Sequence, residues 1–118
     1  MFSRLFIALL TATIISSSVS AGPLVVVSTT DFTSGSLATL VPGETTAVVN
    51  LLNIHSDAVV TTYNGMIYII NRLGQDNIIV VDPADLRKPL LQFSVGNGSN
   101  PQAIAFVSPT KAYISRQN

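Results

Sequence analysis

The chain has 118 residues, and its six basic and six acidic residues cancel to a formal net charge of zero. This length allows one small domain at most, and a neutral chain lacks the surplus of Lys and Arg with which proteins bind nucleic acid. The absence of Cys excludes disulfides, thiolate metal sites and a cysteine nucleophile, and a single His argues against a multi-histidine metal centre. A hydrophobic fraction of 47% is enough to bury a core.

Residues 1–21 have the pattern of a cleavable export signal. Arg4 supplies positive charge, residues 5–15 form an apolar stretch, and small or polar residues follow. A membrane anchor or a buried strand is the alternative, but a membrane span takes about 20 apolar residues. We therefore predict cleavage between Ala21 and Gly22. The mature chain would have no stable membrane anchor and would lie in the periplasm, at the cell surface or in the medium.

The rest of the chain is predicted to be all-β. Short apolar runs and period-2 alternation dominate after Pro23, and no useful stretch shows a helical period. The predicted strands cover residues 24–29, 37–41, 46–54, 58–63, 66–71, 78–81, 90–95, 103–107 and 112–115. Strand 78–81 is apolar on both faces, so it must be covered on both sides. Strand 90–95 alternates, which places it near a sheet edge.

Structural turns are predicted at three places. Asn64-Gly65 lies between two β-rich runs and predicts a type I′ hairpin, because both residues tolerate positive φ. Asp82-Pro83 ends a strand, since Pro has no N–H with which to continue a ladder. Gly96 begins a long turn that reaches Pro101.

An internal repeat of about 45 residues runs through the second half of the chain. A shift of 45 residues places Tyr68 on Tyr113 and keeps the order of strand, tight turn and strand. Further upstream, a shift of 41 residues pairs Leu37 with Ile78. A period near 45 with about four short strands per unit is typical of a propeller blade, whose faces are covered by neighbouring blades.

The sequence resembles the YVTN-type β-propeller repeat. It has a tyrosine-containing strand that ends in Asn71, then a polar turn and the run Ile78-Ile79-Val80-Val81-Asp82, which is similar to the V-x-V-x-D strand of that repeat. Gly96 and Pro101 then match the motif that leads into the next blade. The resemblance covers residues 57–118 well and 24–56 loosely. The turn at residues 72–75 and the lengthened loop at 97–100 depart from the usual repeat.

The resemblance implies a partial β-propeller made of four-stranded antiparallel blades of about 45 residues. Residues 22–56 would form a partial first blade, 57–101 one blade, and 102–118 the start of the next. A fold of this kind does not fix the chemistry. Such propellers are similar to surface-layer proteins, periplasmic binding modules and the scaffolds of quinoprotein-like enzymes.

Three functions are compatible with these features. The first is an exported non-catalytic propeller segment that acts as a binding, scaffold or surface-layer-like module for a ligand or protein not yet known. The second is a fragment of a quinoprotein-like or lyase-like propeller enzyme, and the third is a truncated frame with no independent function. Because a propeller needs about four to eight blades, the mature chain is expected to need further blades or to self-associate.

No residue pattern predicts a catalytic, cofactor-binding or metal site. His55 has only Asp57 nearby in sequence and is interpreted as solvated or locally hydrogen-bonded. Asp82 and Asp85 are interpreted as a turn, in which Asp accepts backbone N–H groups, rather than as a carboxylate pair or calcium site. Asp76, with Asn71 and Asn77, does not have the spacing of an EF-hand loop.

Other candidate sites are equally unspecific. Gly96-x-Gly98 lacks the third Gly and the following helix of a dinucleotide fingerprint. Asn97-Gly98-Ser99 is a glycosylation sequon, relevant only in a eukaryotic secretory pathway, and Arg87-Lys88 is interpreted as a solvated turn. Five aromatic residues at strand positions are predicted to pack in the core or between blades. They are Tyr63, Tyr68, Phe93, Phe106 and Tyr113.

Overall fold

The computed structural model describes residues 22–117. The predicted export signal, including Ala21, and Asn118 lie outside the described residues, and Gly22 is the first residue within them. Nine β-strands and no α-helix lie in this range, so it contains no helix capable of spanning a membrane. The strands are β1 Val25–Thr30, β2 Gly35–Leu40, β3 Asn53–Ile54, β4 Ala58–Tyr63, β5 Met66–Asn71, β6 Asn77–Val81, β7 Pro89–Ser94, β8 Pro101–Ser108 and β9 Lys111–Arg116.

The strands form three antiparallel sheets in chain order. Sheet A has the order β1-β2-β3, sheet B the order β4-β5-β6-β7, and sheet C the order β8-β9. The all-β prediction with antiparallel pairing is therefore confirmed. The sheets do not close into a ring.

The hairpin β4–β5 forms where the sequence predicts it. Its two strands have the predicted bounds, and the turn residues Asn64 and Gly65 have φ angles of 47° and 76°. Positive φ at both central residues is the mark of a type I′ turn, whose twist matches that of the flanking strands. The register runs from Tyr63 opposite Met66 to Ala58 opposite Asn71.

The predicted strand 46–54 is wrong in extent. Its continuous part is limited to β3, and upstream it touches β2 through an isolated bridge between Thr39 and Val48. Asn50 has a φ of 55°, which interrupts an extended backbone. Beyond that point Leu51 donates its N–H to the Leu37 carbonyl at 2.9 Å. The segment therefore follows β2 through separate contacts instead of a regular ladder.

Strand β7 is an edge strand, as the sequence predicts. All six of its residues are exposed, and it pairs only with β6 in the described part of the chain. Pro89 opens the strand, a position where its missing N–H costs no ladder bond. The ladder between β6 and β7 has an irregularity between Val80 and Val81.

Sheet B is covered on both faces. On one face Ile69 and Ile79 are buried in a core cluster with Leu37 of sheet A. On the other face Phe106 of sheet C stacks on Tyr63, with 4.1 Å between ring centroids. All five residues of β6 are buried. This confirms the prediction that a strand with apolar residues on both faces is covered on both sides.

Sheet A repeats the arrangement of β5, β6 and β7. Gly35 pairs with Ile54 in sheet A, and 41 residues further on Asp76 accepts a backbone hydrogen bond from Val95 at 2.9 Å. Leu37 and Ile78 fall at matching positions of β2 and β6 under the same shift. Within residues 22–117, sheet A thus has counterparts of the last three strands of sheet B.

Sheet C repeats the arrangement of β4 and β5. The two-residue turn at 109–110 joins β8 to β9 as Asn64-Gly65 joins β4 to β5. In sheet C, however, Phe106 lies opposite Ala112, because the register shifts between Phe106 and Ser108. This bulge at Val107 offsets β8 by one residue from the position that an exact repeat would give it.

Candidate functional site

A polar seam runs along one end of the three sheets, and it is the main cluster of polar side chains in the described residues. The seam is defined by the connections β3–β4 (55–57), β5–β6 (72–76) and β7–β8 (95–100), with the strand residues that flank them.

Asp76 is the most buried carboxylate of the seam, with 2% of its surface exposed. Its Oδ2 accepts the backbone N–H of Gly98 at 2.7 Å, and its Oδ1 accepts that of Asn100 at 2.9 Å. Gly98 and Asn100 have φ angles of 72° and 42°, which turn their N–H groups toward the inside of the loop. Such a curl of the backbone is an anion-binding nest. Here the anion that it binds is the chain's own Asp76.

Arg72 links sheet B to sheet C. Its guanidinium forms an ion pair with the Asp57 carboxylate, and its Nη1 donates to Gln102 Oε1 at 3.0 Å. Arg72 Nε also donates to the Asp57 carbonyl at 3.3 Å. Both charged side chains are partly exposed, 26% and 32%, so the ion pair itself contributes little to stability. The contact between Arg72 and β8 is the hydrogen bond to Gln102.

Asn100 joins the loop 96–100 to its neighbours on both sides. Its Oδ1 accepts the N–H of Leu73 at 3.2 Å, and its Nδ2 donates to Gln117 Oε1 at 2.8 Å. The Asn100 carbonyl accepts from Gln102 Nε2 at 2.9 Å. The β5–β6 turn, the β7–β8 loop and the segment after β9 are therefore held together by one side chain.

His55 lies in this seam as a hydrogen-bonded element of the β3–β4 connection. Its ring Nδ1 accepts the backbone N–H of Asp57 at 3.1 Å, and the backbone N–H of His55 donates to Asn71 Oδ1 at 3.0 Å. Asn71 Nδ2 donates in turn to Asn77 Oδ1 at 2.8 Å, with both amides buried. The ring is thus engaged locally, in the manner that the sequence suggests.

The carboxylates at the other end of β6 form a turn. Asp82 Oδ1 accepts the N–H of Ala84 at 2.8 Å, and Asp85 Oδ1 accepts that of Arg87 at 3.3 Å. The Asp82 carbonyl accepts the N–H of Asp85 at 3.0 Å. Arg87 and Lys88 are exposed, as is Asn97 of the sequon. Within residues 22–117 no three His, Cys, Asp or Glu side chains come together as metal ligands.

The aromatic residues divide into two groups. Tyr63 stacks on Phe106 with an angle of 4° between rings, and Tyr68 meets Phe106 at 4.6 Å and 58°, so these three pack between sheets as predicted. The prediction is wrong for Tyr113, which is 59% exposed, because no described element covers its face of sheet C. Phe93 lies on the edge strand β7 and is also exposed, at 37%.

Two features of the seam were not predicted from the sequence. The sequence suggests Asp76 only as a calcium ligand and residues 72–75 only as an unusual turn, yet Asp76 and Arg72 both connect sheet B to the β7–β8 region. The signal for Asp76 is present: an Asp follows one turn, and a loop with two glycines occurs about twenty residues later. A glycine-rich loop exposes N–H groups, and an isolated carboxylate is a suitable acceptor.

The pKa of the exposed carboxylate of Asp31 is lowered by hydrogen bonds within its turn. Asp31 accepts the N–H groups of Ser34 at 2.6 Å and Thr33 at 2.8 Å, and the Ser34 hydroxyl donates to its second oxygen. The hydrogen bonds from Ser34 and then from Thr33 hold the pKa of Asp31 below its usual value of 3.8. This carboxylate organises the β1–β2 turn.

Comparison with known proteins gives no relative. No family model, no curated protein and no solved structure matches this chain.

Proposed function

We propose that this chain is an exported, non-catalytic segment of a β-propeller of the YVTN type that acts as a binding or scaffold module. The observation that carries the proposal is the position of sheet B. It is a four-stranded antiparallel meander whose two faces are covered by sheets that precede and follow it in the chain. Serial stacking of small antiparallel sheets is how propeller blades bury their faces.

The outer faces of the stack support a role in association. Val25 and Val27 of β1 are 45% and 43% exposed, whereas Val26 between them packs toward the core. At the other end of the stack Tyr113 and Val107 of sheet C are 59% and 64% exposed. Apolar residues on an uncovered sheet face favour contact with another sheet.

The polar seam supports a structural role for the polar side chains. His55, Asp57 and Asp76 hold backbone N–H groups or an ion pair across connections. Asp76 joins sheet B to the loop that leads into sheet C, and His55 and Asp57 fix the connection that leads into sheet B. A scaffold that presents its loops and edges needs this rigidity, because binding is favoured when the surface is preorganised.

The proposal is tested by measuring whether the protein is exported and whether it self-associates. Expression of residues 1–118 in a bacterium should give an exported chain whose N-terminal residue is Gly22. Light scattering during gel filtration should show that residues 22–118 self-associate. The double substitution Val25→Lys and Val27→Lys should reduce the assembly, because it places charge on the outer face of sheet A.

A matched control is Leu73→Lys, which removes an exposed apolar residue (61%) from the β5–β6 turn without touching that face. It should leave the assembly unchanged. A cytoplasmic product that retains Met1, or a monodisperse monomer of residues 22–118 with a cooperative thermal transition, would contradict the proposal.

A further inference from the structure

The β1–β2 and β5–β6 turns each hold an apolar side chain in solvent at the same position. A shift of 41 residues places Phe32 on Leu73. Both residues have positive φ, 70° and 43°, and both are exposed, at 92% and 61%. A bulky residue in the left-handed region is uncommon and costs conformational energy. An exposed side chain gains nothing from the core, so packing does not explain why the feature recurs.

The exposure of these two side chains is a property of the turns. Sheet B has sheet A on one face and sheet C on the other, yet Leu73 in its β5–β6 turn is still in solvent. Both turns lie at the ends of strands rather than on a sheet face. Phe32 and Leu73 therefore mark the end of the stack at which the polar seam also lies.

The backbone of Phe32 is fixed by hydrogen bonds within its turn. Its N–H donates to Thr30 Oγ1 at 2.9 Å. The next two residues, Thr33 and Ser34, donate their N–H groups to Asp31 at 2.8 and 2.6 Å. Backbone strain persists where the surrounding structure determines it, and it is concentrated at functional sites such as ligand sites. The exposed ring of Phe32 is thus presented on a defined turn.

A polar cavity of about 310 Å³ lies between the two turns. Its lining comes from the β1–β2 turn, from the β5–β6 turn and from the segment 53–56, which leads from β3 into sheet B. Its size is at the lower end of the range for small-molecule sites, about 300 to 1,000 Å³. Among the described residues, no Lys, Arg, Asp or Glu lines it. Its polar side chains are all uncharged amides, hydroxyls or an imidazole: Thr33, Ser34, Asn53, His55, Ser56 and Gln75.

Several of these groups are available to a ligand. His55 Nδ1 accepts the N–H of Asp57 at 3.1 Å, so the proton of the neutral ring is on Nε2, which is a donor. Hydroxyl and amide groups both donate and accept. In the described part of the chain no residue hydrogen-bonds to the side chains of Thr33, Asn53 or Ser56.

We propose that this cavity, with Phe32 and Leu73 on the turns that flank it, binds a neutral saccharide. A sugar ring has an apolar C–H face, which packs against an exposed aromatic or aliphatic side chain. Its hydroxyl groups donate and accept hydrogen bonds, which uncharged amide, hydroxyl and imidazole groups complement. A phosphate or carboxylate ligand would instead require a cationic lining. The inference names a ligand for the proposed binding module and rests on that function.

Saturation-transfer difference NMR of the exported chain tests the proposal with glucose, galactose, mannose and N-acetylglucosamine. At least one of these sugars should receive saturation at its ring C–H protons. It should also shift the amide resonances of residues 32–34, 53–56 and 73–75. The uronic acid of the sugar that binds should bind more weakly, because no cation lines the cavity. No saturable binding of any of the four at about 10 mM, or shifts confined to other residues, would overturn the proposal.

The trimer of the sugar that binds distinguishes the two sources of such a ring. A trimer that binds more tightly than the monosaccharide points to a polysaccharide, whose neighbouring units add contacts. Equal affinities point to a free sugar. Either result supports a saccharide site.

The substitution Phe32→Gly separates binding from stability. Gly adopts positive φ without a steric cost, so the variant should unfold at the same temperature as the parent chain or higher. Loss of the ring should weaken sugar binding at least about tenfold, whereas Phe32→Tyr keeps an aromatic face and should keep the affinity. The control Leu90→Ser removes an equally exposed apolar side chain of β7 that does not line the cavity, and it should leave binding unchanged. Equal effects of Phe32→Gly and Leu90→Ser would contradict a role for the ring.

The assembly state separates this inference from the function on which it rests. Phe32→Gly should self-associate like the parent chain, because the outer face of sheet A is unchanged. An exported chain that self-associates but binds none of the sugars would overturn the inference and leave the proposed function standing. A monomeric chain that binds a sugar at these residues would support the saccharide site and contradict the self-association expected above.

Discussion

Asn100 donates its backbone N–H to the buried carboxylate of Asp76 across 2.9 Å. The two residues lie 24 positions apart, one before β6 and the other before β8. The contact therefore fixes the path by which the chain leaves sheet B and begins sheet C. Pro101, which follows Asn100, is fully buried, so the start of β8 is held by a polar and an apolar contact together.

Replacing Asp76 by Ala should destabilise the fold. The change removes two charge-assisted hydrogen bonds from a buried position, so the free energy of unfolding should fall on the order of 3 kcal/mol. Urea unfolding followed by circular dichroism measures the loss. Asp85→Ala is the control, because its side chain is exposed in a turn, and it should cost about 0.5 kcal/mol or less. Equal losses would mean that the hydrogen bonds of Asp76 to the β7–β8 loop do not stabilise the fold.

Gly35 is required because the backbone passes directly over it. A Cβ at this position would lie 2.3 Å from the His55 carbonyl oxygen and 2.8 Å from its carbon. Gly35→Ala should therefore lower the free energy of unfolding by about 2 kcal/mol or more, since the connection β3–β4 must move. Gly22→Ala meets nothing within 4 Å and should be close to neutral. A stable Gly35→Ala protein would contradict the close approach of β3 and β2.

The stack of Tyr63 on Phe106 should be measurable as a coupling between sheets B and C. A double-mutant cycle with Tyr63→Ala and Phe106→Ala should give an interaction free energy of about 0.5 to 1.5 kcal/mol, as for other aromatic pairs. The cycle of Tyr63→Ala with Phe32→Ala, a residue 92% exposed in the β1–β2 turn, should give no coupling. Strictly additive losses at Tyr63 and Phe106 would exclude the contact.

The contribution of the β1–β2 turn to the stability of the fold should depend on pH. The pKa of Asp31 is lower in the folded chain than its usual 3.8, so the ionised form is favoured by folding. Its contribution to stability is therefore present above pH 3.8 and is lost as the pH falls through the lower folded-state pKa. Asp31→Asn should remove this pH dependence. Carboxyl-carbon NMR titration measures the value directly, and an Asp31 pKa at or above 3.8 would contradict the turn geometry.

Much of the middle of the chain follows from local chemistry. Asn64-Gly65 dictates a type I′ turn, and the aliphatic run of β6 has no polar face to present to water. These signals act within a few residues, which is why the strands β4, β5 and β6 lie at or within one residue of their predicted places. The edge position of β7 follows in the same way from its alternating pattern.

The parts of the structure that differ from the sequence predictions depend on contacts between residues far apart in the chain. The alternating run at residues 46–54 has strand propensity, yet Asn50 takes a positive φ and its continuous pairing is limited to two residues. The exposure of Tyr113 depends on whether an element covers sheet C, and the role of Asp76 depends on a loop 20 residues away. Such outcomes are set by tertiary packing, which a local pattern does not encode.

The central feature of the fold is that sheet B is held between sheets A and C. The most direct measurement is a set of nuclear Overhauser effects in residues 22–118, recorded in the Val25→Lys and Val27→Lys background if the parent chain associates. We predict contacts between the Tyr63 and Phe106 rings, and between the Leu37 methyl groups and the isoleucines of the same core cluster (Ile67, Ile69 and Ile79). A folded sheet B that lacks either set would contradict the stacked arrangement.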